Sequence, residues 1–297
     1  MNDRLIRPAG GTDAPPLAPK LPEGRSVELP DRGTTFIREI DGPPGAPTVV
    51  LLHGWTVTAD INFFTAYELL GRHFRVITID HRGHGGGIRT RAAFRLEDCA
   101  DDVAVLIDLL RLGPVIVVGY SMGGAIAQLM CHRHPTLVAG VVLCSTARMF
   151  NGGKGEAISF FGLAGLAALS RLAPEQARVW MTDQFISRKG RSYQAWALQQ
   201  VRGNDVVKML EAGHAIGQFS SREWIGYVTV PAAVIVTMQD RTVPARRQLR
   251  LADSLPGAVV YRVAAGHDAC IGATDLWVPM LLAALQDVAD RAASARI

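Results

Sequence analysis

The chain has 297 residues, of which 48% are hydrophobic and 20% charged, a balance typical of a globular protein with a large apolar core. Lys and Arg together number 31 and Asp and Glu 27, so the net charge is only +4, and neither sign forms a long block. This distribution argues against a nucleic-acid-binding protein, because such proteins gather basic residues on one face.

The first predicted elements follow a Pro/Gly-rich segment. Residues 1–24 are rich in proline and glycine and are expected to form a mobile tail. The same residues interrupt the apolar run that a signal peptide needs, so no signal peptide is expected. Residues Ser26–Ile40 predict a β-hairpin that turns at Asp31–Gly33. Six apolar runs rich in β-branched residues then predict the strands of a buried sheet. These runs are Thr48–Leu52, Phe74–Ile79, Val115–Val118, Val138–Cys144, Ala232–Thr237 and Ala258–Val263.

Segments with helical spacing of apolar residues separate these strands. They are Asp60–Leu70, Leu96–Arg111, Met122–His134, Pro244–Ser254 and Val278–Ala292, the last with Pro279 in its first turn. Alternation of buried strands with such helices predicts an α/β fold, with a mostly parallel central sheet flanked by helices on both faces.

One long segment breaks the alternation. Residues 149–221 contain no convincing strand, and their helical patches are interrupted by glycines and a proline. We therefore expect a core of residues 25–148 and 222–297 and a helical cap of residues 149–221 over the carboxyl edge of the sheet. Apolar residues of this segment are expected either to pack onto the sheet domain or to form an apolar roof over the substrate site: Ile158, Phe160, Phe161, Leu163, Leu166 and Leu169.

The motif Gly119-Tyr120-Ser121-Met122-Gly123 lies between a predicted strand and a predicted helix. In this context GxSxG places its serine on a sharp strand-to-helix turn. Gly119 and Gly123 would let the neighbouring backbone pass closely, and the start of the following helix would stabilise negative charge at Ser121. The motif therefore predicts a nucleophilic serine.

Several motifs in chain order resemble those of the α/β-hydrolases, from about Ser26 to the last helix, and above all the small bacterial esterases and lactonase-like members with a helical cap. Relatives that open epoxides or remove halide also carry His-Gly-Trp, but they have Asp at the elbow. Ser121 at this position favours acyl transfer through an acyl-serine intermediate. The matching motifs are His53-Gly54-Trp55, Asp80-His-Arg-Gly-His-Gly85, Gly119–Gly123, Asp240 with Val243-Pro244, and Gly266-His267-Asp268.

A serine hydroxyl needs an adjacent base, and the base needs a carboxylate to hold its tautomer. In this fold the order along the chain is Ser, Asp or Glu, His, which Ser121, Asp240 and His267 follow. Asp240 and His267 each come just after a predicted strand, whereas Asp268 is the weaker candidate for the acid. The backbone N–H of Met122 is the expected first donor to the oxyanion, and the resemblance implies the backbone N–H of Trp55 as the second.

Other motifs carry less weight. Gly83–Gly87 lacks the Gly-Lys-Ser/Thr ending of a P-loop and predicts a tight turn. His132 and His134 are expected at the exposed end of a helix rather than on a metal. For His214 a surface or core position is favoured over the lining of the substrate cavity.

The cysteines and the apolar runs bear on the compartment. Cys99, Cys131, Cys144 and Cys270 form no CxxC or CxH pair, so we expect buried free thiols and no zinc site. The longest apolar run, Ala157–Leu169, is too short to span a bilayer. We expect a cytoplasmic protein without an integral membrane segment.

These patterns predict a hydrolase of carboxylic esters or related acyl compounds that uses no metal or organic cofactor. Its expected partner is a small apolar acyl substrate, not a nucleic acid, and a homo-oligomer is left open. Thioesterase, lactonase, carbon–carbon bond hydrolase and haloperoxidase-like or perhydrolase activities use the same three residues and stay open. A non-catalytic protein of this fold that binds a small molecule is the alternative from another class.

Overall fold

The computed structural model describes residues 19–152, 154–172 and 195–295, except for the side chains of residues 154–161, 172 and 195. Within these residues an eight-stranded sheet forms the centre of the protein. Its strands are β1 (Gly24–Leu29), β2 (Gly33–Ile40), β3 (Thr48–Leu52), β4 (Arg75–Ile79), β5 (Val115–Tyr120), β6 (Val138–Cys144), β7 (Ala232–Thr237) and β8 (Val259–Val263).

The strand order is β1-β2-β4-β3-β5-β6-β7-β8. The β1–β2 and β2–β4 pairs are antiparallel, and all pairs from β4 to β8 are parallel. β5 and β7 are buried along their whole lengths, which explains their continuous apolar sequences. Because β3 has β4 on one side and β5 on the other, the order reverses there, and the carboxyl ends of β3, β5, β7 and β8 lie at one edge.

Helices cover both faces of the sheet. They are α1 (Ala59–Phe63), α2 (Tyr67–Gly71), α3 (Leu96–Leu109), α4 (Met122–Arg133), α5 (Lys154–Leu172), α6 (Ala195–Arg202), α7 (Val206–Gln218), α8 (Ala245–Ala252), α9 (Ala269–Gly272) and α10 (Thr274–Ser294). One apolar core holds residues of α3, α4 and α8, and a second holds residues of α1, α2 and α10. The predicted α/β fold, with a mostly parallel sheet between two helical layers, is confirmed.

Helices α5, α6 and α7 lie in the segment between β6 and β7, and α7 is joined to the core by polar contacts. Asn204, just before α7, accepts from Gly85 N at 2.7 Å and donates to the carbonyl of Thr56 at 3.0 Å. On α7 itself, Glu211 accepts from Phe94 N at 2.8 Å, and Lys208 Nζ donates to the carbonyl of Ala92. The C-terminal part of the segment is therefore fastened to loops that follow β3 and β4.

Several predicted boundaries differ from the structure, and three of the differences bear on the fold. The predicted helix Asp60–Leu70 is divided into α1 and α2, and between them Thr65 Oγ1 donates to the carbonyl of Cys270 at 3.0 Å. α10 begins at Thr274, so Pro279 lies in the helix interior and not in its first turn. Pro279 is exposed, and water can therefore bond to the backbone carbonyl that lacks a partner because proline has no N–H. Of the predicted tail, residues 1–18 lie outside the described residues, and Gly24 already belongs to β1.

In the described part of the chain, no helix is both long and apolar enough to cross a membrane. The four cysteines are free and buried, as predicted. Burial raises the pKa of the Cys270 thiol to about 11 and that of Cys131 to about 12.

Candidate active site

The parallel strands bring the three predicted reactive side chains to one edge of the sheet. Ser121 follows β5 directly, Asp240 lies three residues after the end of β7, and His267 lies four residues after the end of β8. His267 Nε2 lies 3.0 Å from Ser121 Oγ, and His267 Nδ1 lies 2.7 Å from Asp240 Oδ2. Since a carboxylate only accepts, Nδ1 carries the ring proton and leaves Nε2 free to accept from the serine hydroxyl. The structure therefore joins the three groups in one hydrogen-bonded relay.

Ser121 sits on a strained turn between β5 and α4. Its backbone has φ 53° and ψ −113°, a region that a residue with a side chain rarely adopts. A Cβ atom at Gly123 would lie 2.0 Å from the carbonyl oxygen of Leu52, and one at Gly119 would lie 2.3 Å from the carbonyl oxygen of Gly123. Both motif glycines are thus required by close backbone approach, and the turn presents Ser121 at the N-terminus of α4.

The Asp240 carboxylate is buried, and both of its oxygen atoms accept hydrogen bonds. Its Oδ1 accepts from the backbone N–H groups of Thr242 and Val243, each at 2.8 Å. Its Oδ2 accepts from Thr237 Oγ1 at 2.9 Å and Gln248 Nε2 at 3.1 Å, in addition to His267. These bonds fix the rotamer of the carboxylate and leave one oxygen directed at the imidazole.

Sequence reasoning missed the residues that hold these groups in place. Gln248 of α8 is fully buried, and its Oε1 accepts from Thr237 N at 3.0 Å. Tyr120 Oη donates to the carbonyl of His267 at 2.6 Å and so ties the histidine loop to the elbow. No local pattern identifies such contacts, because Tyr120 and His267 are 147 positions apart and a helical glutamine near Asp240 carries no recognisable motif; the only signal was that Tyr120 lies inside the GxSxG motif.

The two predicted oxyanion donors belong to different elements near Ser121. Met122 follows Ser121 directly as the first residue of α4, and Trp55 lines the cavity in front of Ser121. Neither backbone N–H donates to an acceptor among the residues that the structure describes. Asn62 Oδ1 accepts from Gly54 N at 2.6 Å and so fixes the backbone just before Trp55. The Trp55 indole donates to the carbonyl of Met209 at 2.7 Å and thereby contacts α7.

Three buried histidines lie behind this loop. His53 Nδ1 donates to the carbonyl of Gly54 at 2.7 Å, and its Nε2 accepts from His81 N at 2.9 Å. The rings of His53 and His84 are 5.3 Å apart. Burial and the neighbouring imidazoles lower the pKa of His53 well below its ordinary value and that of His81 to about 3. Burial lowers the pKa of His84 to about 4, so all three are neutral at pH 7.

A cavity of about 390 Å³ opens in front of Ser121. Its described lining mixes polar and apolar groups from the loops of the core. The lining residues are Gly54, Trp55, Thr56, Val57, Asn62, Tyr120, Ser121, Gln239, Arg241, Thr242, Gly266, His267, Asp268, Cys270 and Ile271.

None of the described residues of the predicted apolar roof belongs to this lining. Leu163 packs near the Trp55 indole, where Gly213 leaves room for both side chains. Leu166 and Leu169 are 53% and 68% exposed. The side chains of Ile158, Phe160 and Phe161 lie outside the described residues.

The remaining candidates lie elsewhere or have other contacts. His132 is exposed and stacks on Trp224, and His134 Nε2 lies 2.8 Å from Asp101 Oδ1. His214 lies on α7 and does not line the described cavity. Asp268 lines the cavity, but Asp240 is the carboxylate bonded to His267. Within the described residues, no group of three His, Cys, Asp or Glu side chains could hold a metal ion.

Comparison with known proteins identifies the family. The model of the alpha/beta hydrolase fold matches residues 47–274. The chain is 30% identical over 224 residues to the pimeloyl-acyl-carrier-protein methyl ester esterase of Chromobacterium violaceum, covering 72% of this chain and 84% of that one. It is 30% identical over 243 residues to the Magnesium-chelatase 30 kDa subunit of Rhodobacter capsulatus, covering 76% and 82%.

A solved structure has the same fold. The esterase from Exiguobacterium antarcticum superposes with a TM-score of 0.74 at 19% identity, covering 89% of this chain and all of that one. Together with the sheet topology and the match to the family model over most of its length, this likeness shows that the chain belongs to the alpha/beta hydrolase fold family.

Proposed function

We propose that this protein is a serine hydrolase of carboxylic esters, with Ser121 as nucleophile, His267 as general base and Asp240 as the acid that orients it. The observation that carries the proposal is the continuous relay from Ser121 Oγ through the His267 ring to Asp240 Oδ2, at 3.0 and 2.7 Å. The strained backbone of Ser121 supports the same role, because strain of this kind is kept where it presents a reactive group.

In the proposed reaction, Ser121 Oγ attacks the ester carbonyl while His267 Nε2 accepts the hydroxyl proton. The carbonyl oxygen takes up the electron pair and becomes an oxyanion, which the backbone N–H groups of Trp55 and Met122 stabilise. When the oxyanion collapses, the bond to the alcohol oxygen breaks and His267 gives its proton to that oxygen. Water then attacks the acyl-serine with His267 again as base, which releases the acid and restores Ser121.

The segment 149–221 is proposed as a cap that borders the substrate cavity. Its described contacts with the site include the bond from the Trp55 indole to the carbonyl of Met209 and the bond from Asn204 to the carbonyl of Thr56. Since the described lining carries Gln239, Arg241 and Asp268 beside Val57 and Ile271, we propose that the substrate combines an acyl chain with a polar group.

The test uses p-nitrophenyl esters of increasing acyl length, with thioesters and lactones tested in parallel. Ser121→Ala should lower ester turnover about a millionfold, by analogy with other Ser-His-Asp enzymes. Ser26→Ala, at an exposed position on β1, is the matched control and should keep full activity. Near-normal turnover by folded Ser121→Ala would refute the nucleophile. If only thioesters or lactones react, the assignment of the three catalytic residues stands and the proposed substrate class changes.

A second candidate function is non-catalytic binding of a small molecule. It is favoured by the similarity to a protein whose name describes a subunit of Magnesium-chelatase rather than a hydrolase. A fluorophosphonate probe separates the two candidates, because it labels an activated serine. Labelling of Ser121 that is lost in Ser121→Ala supports the hydrolase. A folded protein that is not labelled and turns over no acyl compound supports the binding role.

A further inference from the structure

A second pocket, of about 180 Å³, lies apart from the candidate active site. It shares no lining residue with the cavity at Ser121. Three stretches of chain form it: the residues after β6, the residue Arg222 where the chain returns from α7, and α8. Its lining residues are Arg148, Met149, Gly152, Arg222, Arg247 and Arg250.

Four of these six residues are arginines, and none is acidic. Arg148, Arg222 and Arg250 form no ion pair with any carboxylate in the described part of the chain. An arginine keeps its charge at every physiological pH, so these three guanidinium groups give the pocket positive charge that no carboxylate in the described part of the chain neutralises. A pocket lined in this way favours an anionic ligand.

Two of the four guanidinium groups are held in place by neutral acceptors. Arg148 Nη1 donates to Ser254 Oγ at 2.6 Å, and Arg247 Nη1 donates to the carbonyl of Phe150 at 2.6 Å. A Cβ atom at Gly152 would lie 2.0 Å from Arg247 Nη2, so that guanidinium lies directly against the chain at this glycine. A bridge between Met149 and Ser220 joins the two sides of the pocket wall. These contacts orient the cations before any ligand arrives.

We propose that this pocket binds the phosphate group of a soluble phosphate monoester. A guanidinium donates two parallel hydrogen bonds that match phosphate oxygens, and a dianion neutralises more of the charge of Arg148, Arg222 and Arg250 than a carboxylate can. The small volume fits one such group. The proposal is independent of the activity assigned to Ser121, since the two sites share no residue.

The experiment is isothermal titration calorimetry on the full chain, with inorganic phosphate and with glycerol 3-phosphate. Sodium chloride at the same ionic strength is the blank. Saturable binding of either phosphate compound at up to about 10 mM, accompanied by a higher Tm, is expected. Tighter binding of glycerol 3-phosphate indicates that the ligand carries an organic group, and equal binding indicates that free phosphate suffices. Absence of saturable heat, or the same Tm shift in sodium chloride, would overturn the site.

Variants locate the binding. Arg222→Gln and Arg250→Gln remove exposed charges and should each weaken phosphate binding about tenfold or more, the usual value of a hydrogen bond to a charged group. Arg250→Glu should abolish phosphate binding, because the new carboxylate would repel the phosphate and pair with the remaining guanidinium groups. Arg91→Gln, at an exposed position outside the pocket, is the matched control. Binding that survives Arg250→Glu, or that falls equally in Arg91→Gln, contradicts the proposed location.

Discussion

The buried histidines behind the Ser121 site should make the protein labile to mild acid. His53, His81 and His84 are at most 2% exposed, and burial keeps all three neutral by lowering each pKa. A group with a lowered pKa contributes stability that is present above the pKa of the unfolded chain, about 6.5 for histidine, and that is lost as the pH falls toward the folded value. For His81 and His84 this window extends from about pH 6.5 down to about 3 and 4, respectively.

The size of the effect follows from the pKa values. Between pH 7 and pH 5 the unfolded chain takes up nearly one proton at His81 and one at His84 that the folded protein does not, which costs about 2 kcal/mol for each. Asp80 acts in the opposite direction, because burial raises its pKa to about 6 and protonation relieves the buried charge. Protonation of Asp80 therefore raises the free energy of unfolding by about 1 kcal/mol between pH 7 and pH 5. The net loss is about 2 to 3 kcal/mol, and His53 increases it.

Urea unfolding followed by tryptophan fluorescence at pH 7, 6 and 5, at constant ionic strength, measures this loss. In His84→Gln the decrease between pH 7 and pH 5 should be smaller by about 2 kcal/mol, whatever the stability of the variant at pH 7. His73→Gln, at an exposed position, is the control for removing a histidine. A free energy of unfolding that is constant or rises from pH 7 to pH 5, or an equal pH dependence in His84→Gln and the parent protein, would refute the reasoning.

Three further predictions test the architecture of the site. Gly123→Ala should lower the free energy of unfolding by about 3 kcal/mol or more, measured by urea denaturation, because its methyl group would overlap the carbonyl of Leu52. Gln248→Leu should lower kcat for an ester substrate with little change in KM, because Asp240 loses a hydrogen bond that holds its rotamer; an unchanged kcat contradicts this positioning role. Trp55→Phe should lower Tm by a few degrees, because the bond of its indole to α7 is worth about 1 kcal/mol; an unchanged Tm argues against that anchor.

The sheet was predictable because its strands are buried on both faces and therefore leave continuous apolar runs. Predicted and observed bounds agree for Thr48–Leu52, Val138–Cys144 and Ala232–Thr237. Once the strands are known, parallel pairing dictates that residues just after β5, β7 and β8 meet at one edge. The helix predicted over Asp60–Leu70 shows the limit of this reasoning, since Thr65, bonded to the carbonyl of Cys270, lies where α1 and α2 separate.

The contacts that support the site could not be predicted from local sequence patterns. Gln248 bonds to Asp240 from a helix with no recognisable motif, and Tyr120 bonds to the backbone of His267 across 147 positions. The arginine pocket could not be predicted either, because Arg148 and Arg250 are about a hundred positions apart. The reactive residues could be predicted because they lie in recognisable motifs that follow a fixed order along the chain. The residues that position them lie in no such motif and are identified only by their contacts in the folded protein.

The contacts of α7 restrict how the proposed cap can open. Asn204, Lys208 and Glu211 bond to loops of the core, and the Trp55 indole bonds to the carbonyl of Met209. Lifting α7 would break these bonds together, and each is worth about 0.5–3 kcal/mol, with the larger values for the charged side chains. It would also pull on Trp55, whose backbone N–H is the proposed oxyanion donor. We therefore expect α7, and the wall that borders Trp55, to stay in place when substrate binds.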